Sequence, residues 1–462
     1  MNRFSLSMAT VIVGLSALGA ATASESTWKI DISQTEWELA PGLKTPAWTY
    51  GGTVPGIPIA ARPGDQLRIE VTNKLAVPTN IHWHGLVVPN DQDGPAIVIQ
   101  PGSTFVYSFT PRETGTYWYH PHFRPVLDQL DRGLYAPLIV LAPEDSSYSG
   151  DRTFVLDDWY LDARGKRLPG TADGEMERFG NVETVNGKTG QAIGPLAVTR
   201  GERWKLRFIN ASTAAIHRLK VSGHRFRITH LDGHALAAPY ESDTIDIAPG
   251  ERVDAEFVAD GEPGALYSIT SDRPDLGISI PVVYGNGSVA RVPSPFVPPD
   301  LRFLPGAQEK APDFVLRVAT LMGGMMQMGM GGSMGMGNMM GSMGSSAMGM
   351  AGWTINGKSF PETEALNVKI GELVKLRIFN DDAVTAGGHR MDHPIHLHGT
   401  VFQVLSVDGV APAQPILKDT IPVPAGGYVD LAFVMTESGQ WMLHCHVIDH
   451  EDGGMLTVVN AR

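Results

Sequence analysis

Arg62-Pro63-Gly64-Asp65-Gln66-Leu67-Arg68-Ile69-Glu70-Val71-Thr72-Asn73 occurs three times in this chain in altered form. It returns as Arg200-Gly201-Glu202-Arg203-Trp204-Lys205-Leu206-Arg207-Phe208-Ile209-Asn210, and again as Ile370-Gly371-Glu372-Leu373-Val374-Lys375-Leu376-Arg377-Ile378-Phe379-Asn380. Gly to Asn spans nine residues in each copy, and each copy follows a matching turn: Val54-Pro55-Gly56, Val185-Asn186-Gly187 and Ile355-Asn356-Gly357. Self-similarity over so long a unit marks duplicated domains. For about 440 residues after an N-terminal leader, length alone suggests roughly two to four domains, and the repeat selects three.

Each unit also closes alike. Pro101-Gly102 leads to Gly115-Thr116-Tyr117-Trp118-Tyr119-His120, Pro249-Gly250 to Gly264-Ala265-Leu266-Tyr267-Ser268-Ile269, and Pro424 to Gly427 leads to Gly439-Gln440-Trp441-Met442-Leu443-His444. β-Branched and aromatic runs with period-two alternation, such as 105–109 and 429–433, lie between Gly/Pro turns and predict antiparallel strands. Long amphipathic helical patterns are almost absent. The expected fold is all-β: three Greek-key β-sandwiches, placed at 24–145, 146–295 and 296–462.

The repeat locates the chemistry. The first unit carries His82-Trp83-His84-Gly85 and His120-Pro121-His122; the third carries His396-Leu397-His398-Gly399 and His444-Cys445-His446. Aligned on Gly223 and Gly399, the second unit has Lys220 and Ser222 at the first pair and Ile269 and Ser271 at the second, so it has lost every ligand type. On a strand, residues two apart share a face. Four His-x-His pairs therefore present eight imidazoles, which converge only if the first and last domains meet. Eight are too many for one metal and suit three.

Ten of the fifteen histidines lie in or beside these motifs; His217, His224, His230, His234 and His389 read as ordinary core or surface residues. Cys445, the single cysteine, points to the face opposite His444 and His446. His393, three residues before His396, uses that same face, and His450 and Met455 follow. Thiolate, two imidazoles and a distant thioether are the ligand set of a blue-copper centre. His393, Cys445, His450 and Met455 thus form a mononuclear site beside the eight-histidine cluster.

With these segments in place, the chain resembles the multicopper oxidases, the family of laccases and bacterial copper-efflux oxidases of the CueO type. The resemblance covers essentially the whole chain after the leader and implies cupredoxin-like domains holding four coppers. Type 1 copper is expected at His393, Cys445, His450 and Met455, and type 2 at His82 and His396. The type 3 pair is expected at His84, His120 and His446 on one ion and His122, His398 and His444 on the other. The resemblance further implies that an external reductant would give electrons singly to type 1 copper, that Cys445 would carry them to the cluster, and that four of them would reduce dioxygen to water. Asp93 and Glu451 match the carboxylates that the family uses as proton relays.

Residues 322–350 contain twelve Met and ten Gly, with no charge and no His. Flexible linkers are normally built from Gly, Ser or charge, whereas thioethers select Cu(I). CueO-type enzymes carry a methionine-rich insert at this place, so Met322, Met325, Met326, Met328 and Met330, with Met391 near His393, are candidate ligands for substrate copper. This chain differs from some relatives in lacking His within the insert and in having His389 where an acidic residue is expected. The expected reaction is Cu(I) oxidation for copper resistance. The alternatives are a general laccase acting on phenols or aromatic amines, iron(II) oxidation, for which Asp392 alone is thin support near His393, and a copper-buffering protein with no catalysis.

Residues 1–23 read as an export signal: Arg3, then an apolar run from Met8 to Ala21, then Ala21-Thr22-Ala23 as cleavage site. A periplasmic enzyme is expected. Removing that segment, which carries one basic residue and no acidic one, takes the formal charge from −13 to −14, a balance that argues against nucleic-acid partners. With one cysteine no internal disulfide forms, and no later stretch reads as a membrane span. A monomer acting with dioxygen and either Cu(I) or a small phenol is the expectation.

Overall fold

The computed structural model describes residues 24–169, 178–273, 276–320, 352–384 and 390–462. The export segment, Met322 to Met330, the rest of the Met-rich stretch and His389 lie outside them. The described residues form strands throughout, with α-helical turns only at Val126–Leu130 and Ile448–Asp452.

Six sheets pair into three sandwiches. The first joins a sheet ordered Leu43–Tyr50, Glu25–Ala40, Gln66–Asn73, Thr104–Phe109 to one ordered Ile59–Ala61, Ala136–Val140, Gly115–His120, His82–His84. The second and third each combine a six-stranded and a five-stranded sheet in the same order as one another. Each sandwich encloses its own apolar core, centred on Ile69 and Tyr107, on Phe208 and Phe257, and on Leu376 and Phe433. Alternation along Gln66–Asn73, buried at every second residue, is the mark of a strand with one face on a core.

The strands expected at 105–109 and 429–433 are present and antiparallel. Two pairings in each sandwich are parallel instead, among them Glu25–Ala40 with Gln66–Asn73 and Phe314–Thr320 with Leu373–Asn380. Periodicity reveals which face of a strand is buried, not which neighbour it pairs with, so this feature was not visible in the sequence.

The repeat has a structural reason at both ends. Gly64, Gly201 and Gly371 hold φ of 90°, 100° and 79°, a left-handed turn into the strand that glycine adopts without strain. The closing asparagine is buried and performs one task three times. Asn73 Nδ2 donates to Val77 O (2.8 Å) and Ile99 O (2.9 Å), Asn210 Nδ2 to Ala215 O (2.8 Å) and Ile247 O (2.9 Å), and Asn380 Nδ2 to Met391 O (2.7 Å) and Val423 O (3.0 Å). Each thereby ties the end of the repeat strand to the entry of the strand that bears, or in the second sandwich no longer bears, the histidines.

Register corrects one alignment. Lys220 pairs with Thr270 and Leu219 with Ser271, as His396 pairs with His444 and Ile395 with Cys445. The counterparts of His444, Cys445 and His446 are therefore Thr270, Ser271 and Asp272, one residue later than Gly264 and Gly439 suggested. His217 stands where His393 does, bonded to Ser212 Oγ at 2.8 Å. The three sandwiches meet along a fourth apolar cluster that includes Trp118, Trp159, Ile209 and Ile448.

Candidate metal centre

In the first sandwich His82 pairs with His120 across adjacent strands, and in the third His396 pairs with His444. Each strand pair puts two His-x-His motifs side by side, and the two sandwiches face each other. All eight imidazoles are buried and come together between them. His82 Nε2 lies 3.3 Å from His396 Nε2, His122 Nε2 3.2 Å and His398 Nε2 3.1 Å from His444 Nε2, and His84 Nδ1 3.4 Å from His120 Nε2. The rings of His446 and His84 have centroids 5.0 Å apart.

The outer nitrogens decide what the inner ones can do. Asp93 Oδ1 lies 2.9 Å from His82 Nδ1 and Asp93 Oδ2 2.8 Å from His398 Nδ1. His396 Nδ1 faces Asp419 O at 2.8 Å, His444 Nδ1 faces Cys445 O at 2.9 Å, and His120 Nδ1 faces Pro121 O at 3.0 Å. Each of these acceptors requires an N–H, so each opposite nitrogen carries a lone pair. His84 is reversed: its Nε2 meets Asp419 Oδ1 at 3.1 Å, which leaves Nδ1 for the cluster. Converging lone pairs cannot hydrogen-bond one another and call for a cation. Two nitrogens bound at about 2.0 Å with a tetrahedral angle between them lie about 3.3 Å apart, which is the spacing found.

Two further observations fit a metal. Among the described residues neither ring nitrogen of His446 has a hydrogen-bond partner, which is costly for a buried polar group. Burial first, and then mostly the neighbouring histidines, holds the imidazoles of His120, His122, His398 and His446 well below their ordinary range. They are neutral, as metal ligation demands.

On the far side of the strand Gly439–Cys445, Cys445 Sγ lies 3.4 Å from His450 Nδ1 and 3.7 Å from His393 Nδ1, and those nitrogens are 3.0 Å apart. Met455 is buried in the same apolar cluster, and Cys445 N donates to Met455 O (3.0 Å). A thiolate and two imidazoles, with Met455 in the same apolar cluster, suit copper. Met391 is half-buried against this cluster.

Glu451 is buried, with its carboxyl oxygens 3.5 Å from His122 Nδ1 and 3.3 Å from His444 Nδ1. Burial, reinforced by Asp452, pushes that carboxyl well above the usual carboxylate range. The helix Ile448–Asp452 carries both His450 and Glu451 and so serves both sites.

Four contributors escaped the sequence reading. Asp382 Oδ2 lies 2.9 Å from His393 Nε2; Asp419 supports His84 and His396; Arg252 is paired with Asp419; and the Trp353 ring stacks on His450, centroids 3.5 Å apart at 25°. Asp382 had a signal, since it follows the repeat asparagine by two residues, where Ser212 reaches His217. Such outer partners fix tautomer and ring orientation in metal sites.

Three segments of the chain, 31–145, 150–278 and 337–462, match sequence profiles described as multicopper oxidase. The multicopper oxidase MmcO of Mycobacterium tuberculosis is 32% identical over 450 residues, covering 88% of this chain and 82% of that protein. Among solved structures, a multi-copper oxidase from Pseudomonas thermotolerans superposes with a TM-score of 0.78 at 27% identity, over 96% of this chain and all of that one. One from Campylobacter jejuni, described as a metallo-oxidase, gives 0.76 at 25% identity, over 97% of this chain and 94% of that one. Lone pairs gathered for a cation, a thiolate set beside them and these likenesses agree: the chain belongs to the multicopper oxidase family, copper-binding oxidoreductases that pass electrons from a reductant to dioxygen.

Proposed function

We propose that this oxidase takes its electrons from Cu(I), returning Cu(II), and that it protects an exporting cell against copper from the periplasm. In this reading residues 1–23 direct export, the three sandwiches divide at 24–145, 146–295 and 296–462, and the protein acts as a monomer. Four coppers occupy the sites expected from the sequence: type 1 at His393, Cys445, His450 and Met455; type 2 at His82 and His396; type 3 at His84, His120, His446 and at His122, His398, His444. When bound, they accept electrons one at a time and deliver four to dioxygen.

The residues divide the remaining work. Cys445 is joined through the backbone to His444 and His446, so the two sites share one short run of covalent bonds. Asp93 holds the Nδ1 protons of His82 and His398 and keeps their Nε2 lone pairs inward. Asp93 and Glu451 are the proton relays, Glu451 from a buried position between His122 and His444.

One observation carries the cuprous reading: the position of the described residues that flank the Met-rich stretch. Thr320, the last described residue before it, donates from its backbone N (3.0 Å) and Oγ1 (2.8 Å) to Asp382, the partner of His393. Trp353, just after it, pairs with Thr320 and stacks on His450. The stretch 321–351 is thus flanked on one side by a residue bonded to the carboxylate that holds His393 and on the other by a ring stacked on His450. The metallo-oxidase description of the Campylobacter jejuni relative supports a metal-ion reductant.

Oxygen uptake with Cu(I) and with a bulky phenol, with and without residues 322–350, tests this. Deletion is expected to lower Cu(I)-driven uptake at low Cu(I) about tenfold or more while leaving phenol-driven uptake intact. Undiminished Cu(I) oxidation after deletion would end the substrate role of residues 322–350; full-length protein that takes up oxygen with the phenol but not with Cu(I) would end the cuprous reading and leave the laccase one.

A further inference from the structure

The second sandwich gives no imidazole to the cluster, yet its strand Arg252–Val258 begins with a fully buried arginine that touches all three sandwiches. Arg252 Nε donates to Thr116 O (3.0 Å) in the first. Nη1 donates to Gly250 O (3.2 Å) and Nη2 to Asp232 O (2.9 Å) in the second. Nη1 and Nη2 then donate to the two carboxylate oxygens of Asp419 (2.7 and 2.6 Å) in the third. A guanidinium has five N–H donors in a rigid fork, and all five are used.

Asp419 passes this order on. Its Oδ1 lies 3.1 Å from His84 Nε2, and its carbonyl lies 2.8 Å from His396 Nδ1. Those two rings come from different sandwiches and stack with centroids 3.8 Å apart at 14°. A second clamp holds Asp419 from the same side: the Asp232 carboxylate accepts from the backbone N–H of Arg252 (2.9 Å), Asp419 (3.3 Å) and Thr420 (3.1 Å). The backbone at Gly250, with φ of 87°, presses against the cluster itself. A Cβ there would stand 2.9 Å from the His446 ring and 3.2 Å from that of His84.

We propose that Arg252 is a positioning residue for the cluster: through Asp419 the ligand-free sandwich aims His84 and His396, and so sets the occupancy of the type 2 copper and of its type 3 neighbour. A bidentate guanidinium fixes the plane of the carboxylate, and the carboxylate fixes which nitrogen of each ring carries the proton. The mononuclear set, His393, Cys445, His450 and Met455, has no hydrogen bond or ion pair to Arg252 among the described residues. Damage at Arg252 therefore falls on one site and spares the other, which simple cementing of the domains would not do.

The proposal rests on the ligand set given above, and the experiment separates the two. Full-length protein and the variants Arg252→Gln, Arg252→Lys and Gly250→Ala are loaded with copper; the copper-to-protein ratio, the visible type 1 absorption, the type 2 electron paramagnetic resonance signal and the kcat and KM for reductant are measured. Arg252→Gln is expected to keep the type 1 absorption, lose or alter the type 2 signal, and bind at least one copper fewer. Its kcat should fall about 10–100-fold with KM for reductant unchanged. Arg252→Lys, which keeps the charge but not the fork, should fall between, and Gly250→Ala should disturb the cluster in the same selective way. An unchanged type 2 signal and copper ratio in both arginine variants would overturn the proposal. So would loss of type 1 absorption in all three variants, because that would make the contact purely structural. Wild-type protein lacking type 1 absorption or the full copper complement would instead refute the ligand set.

Discussion

Asp93 spans two sandwiches with one carboxylate, and its two oxygens are both committed. Asp93→Asn leaves one acceptor oxygen where two are needed, so His82 or His398 can exchange its protonated nitrogen and present N–H where the metal needs a lone pair. We expect copper affinity or oxygen reduction to fall about 10–100-fold with type 1 absorption retained, read by metal titration and stopped-flow reoxidation. Trp353 is different, because its ring both fills the core and lies on His450. Trp353→Ala should cost about 3–5 kcal/mol of unfolding free energy, measured by denaturant titration, and should change the type 1 spectrum. At this scale the sequence was partly transparent. Alternation along a strand, a rigid rule, put the four His-x-His pairs on one face and His393 with Cys445 on the other; it could not place His450, which lies on the helix Ile448–Asp452. Asp419, Arg252 and Trp353 stayed hidden, because each comes to the sites from a distant segment that no local spacing encodes, Arg252 only through Asp419; Asp382 alone had a signal, in its place two residues after the repeat asparagine.

At the level of the strand, the repeat asparagines explain why so long a motif recurs. Asn380 bridges Met391 O and Val423 O from inside the third sandwich, and its Oδ1 accepts from Asp382 N at 3.0 Å. The same residue therefore holds both the entry to His393 and the carboxylate that orients it. Asn380→Ala strands those buried groups, each at about 1–3 kcal/mol, and we expect lower thermal stability together with weakened type 1 absorption. A protein that stayed fully blue while losing stability would separate the two roles. The turns, the strands and the three-fold plan were legible from period and punctuation. The parallel pairings and the one-residue offset in the second sandwich were not, since both depend on which distant segment lies alongside.

Across the whole molecule, metal and architecture are linked. The eight imidazoles come from the first and third sandwiches, so copper held among them would favour the docked state over the separated one. Chelation should lower the unfolding midpoint, since at free metal 100-fold above the dissociation constant each site contributes about 2.7 kcal/mol; calorimetry of copper-loaded and copper-free protein checks it. Among the described residues no helix is long and apolar enough to cross a membrane. The division of ligands also sets a timetable. Residues 82–122 emerge, from the ribosome or from the export channel, well before residues 393–455, and domains generally fold as they emerge. For that interval the first sandwich displays two pairs of imidazoles, each short of a full coordination shell, and any ion caught there remains exchangeable. The site closes only when the last-made sandwich docks, so a half-built chain holds its metal loosely and cannot yet run the redox chemistry.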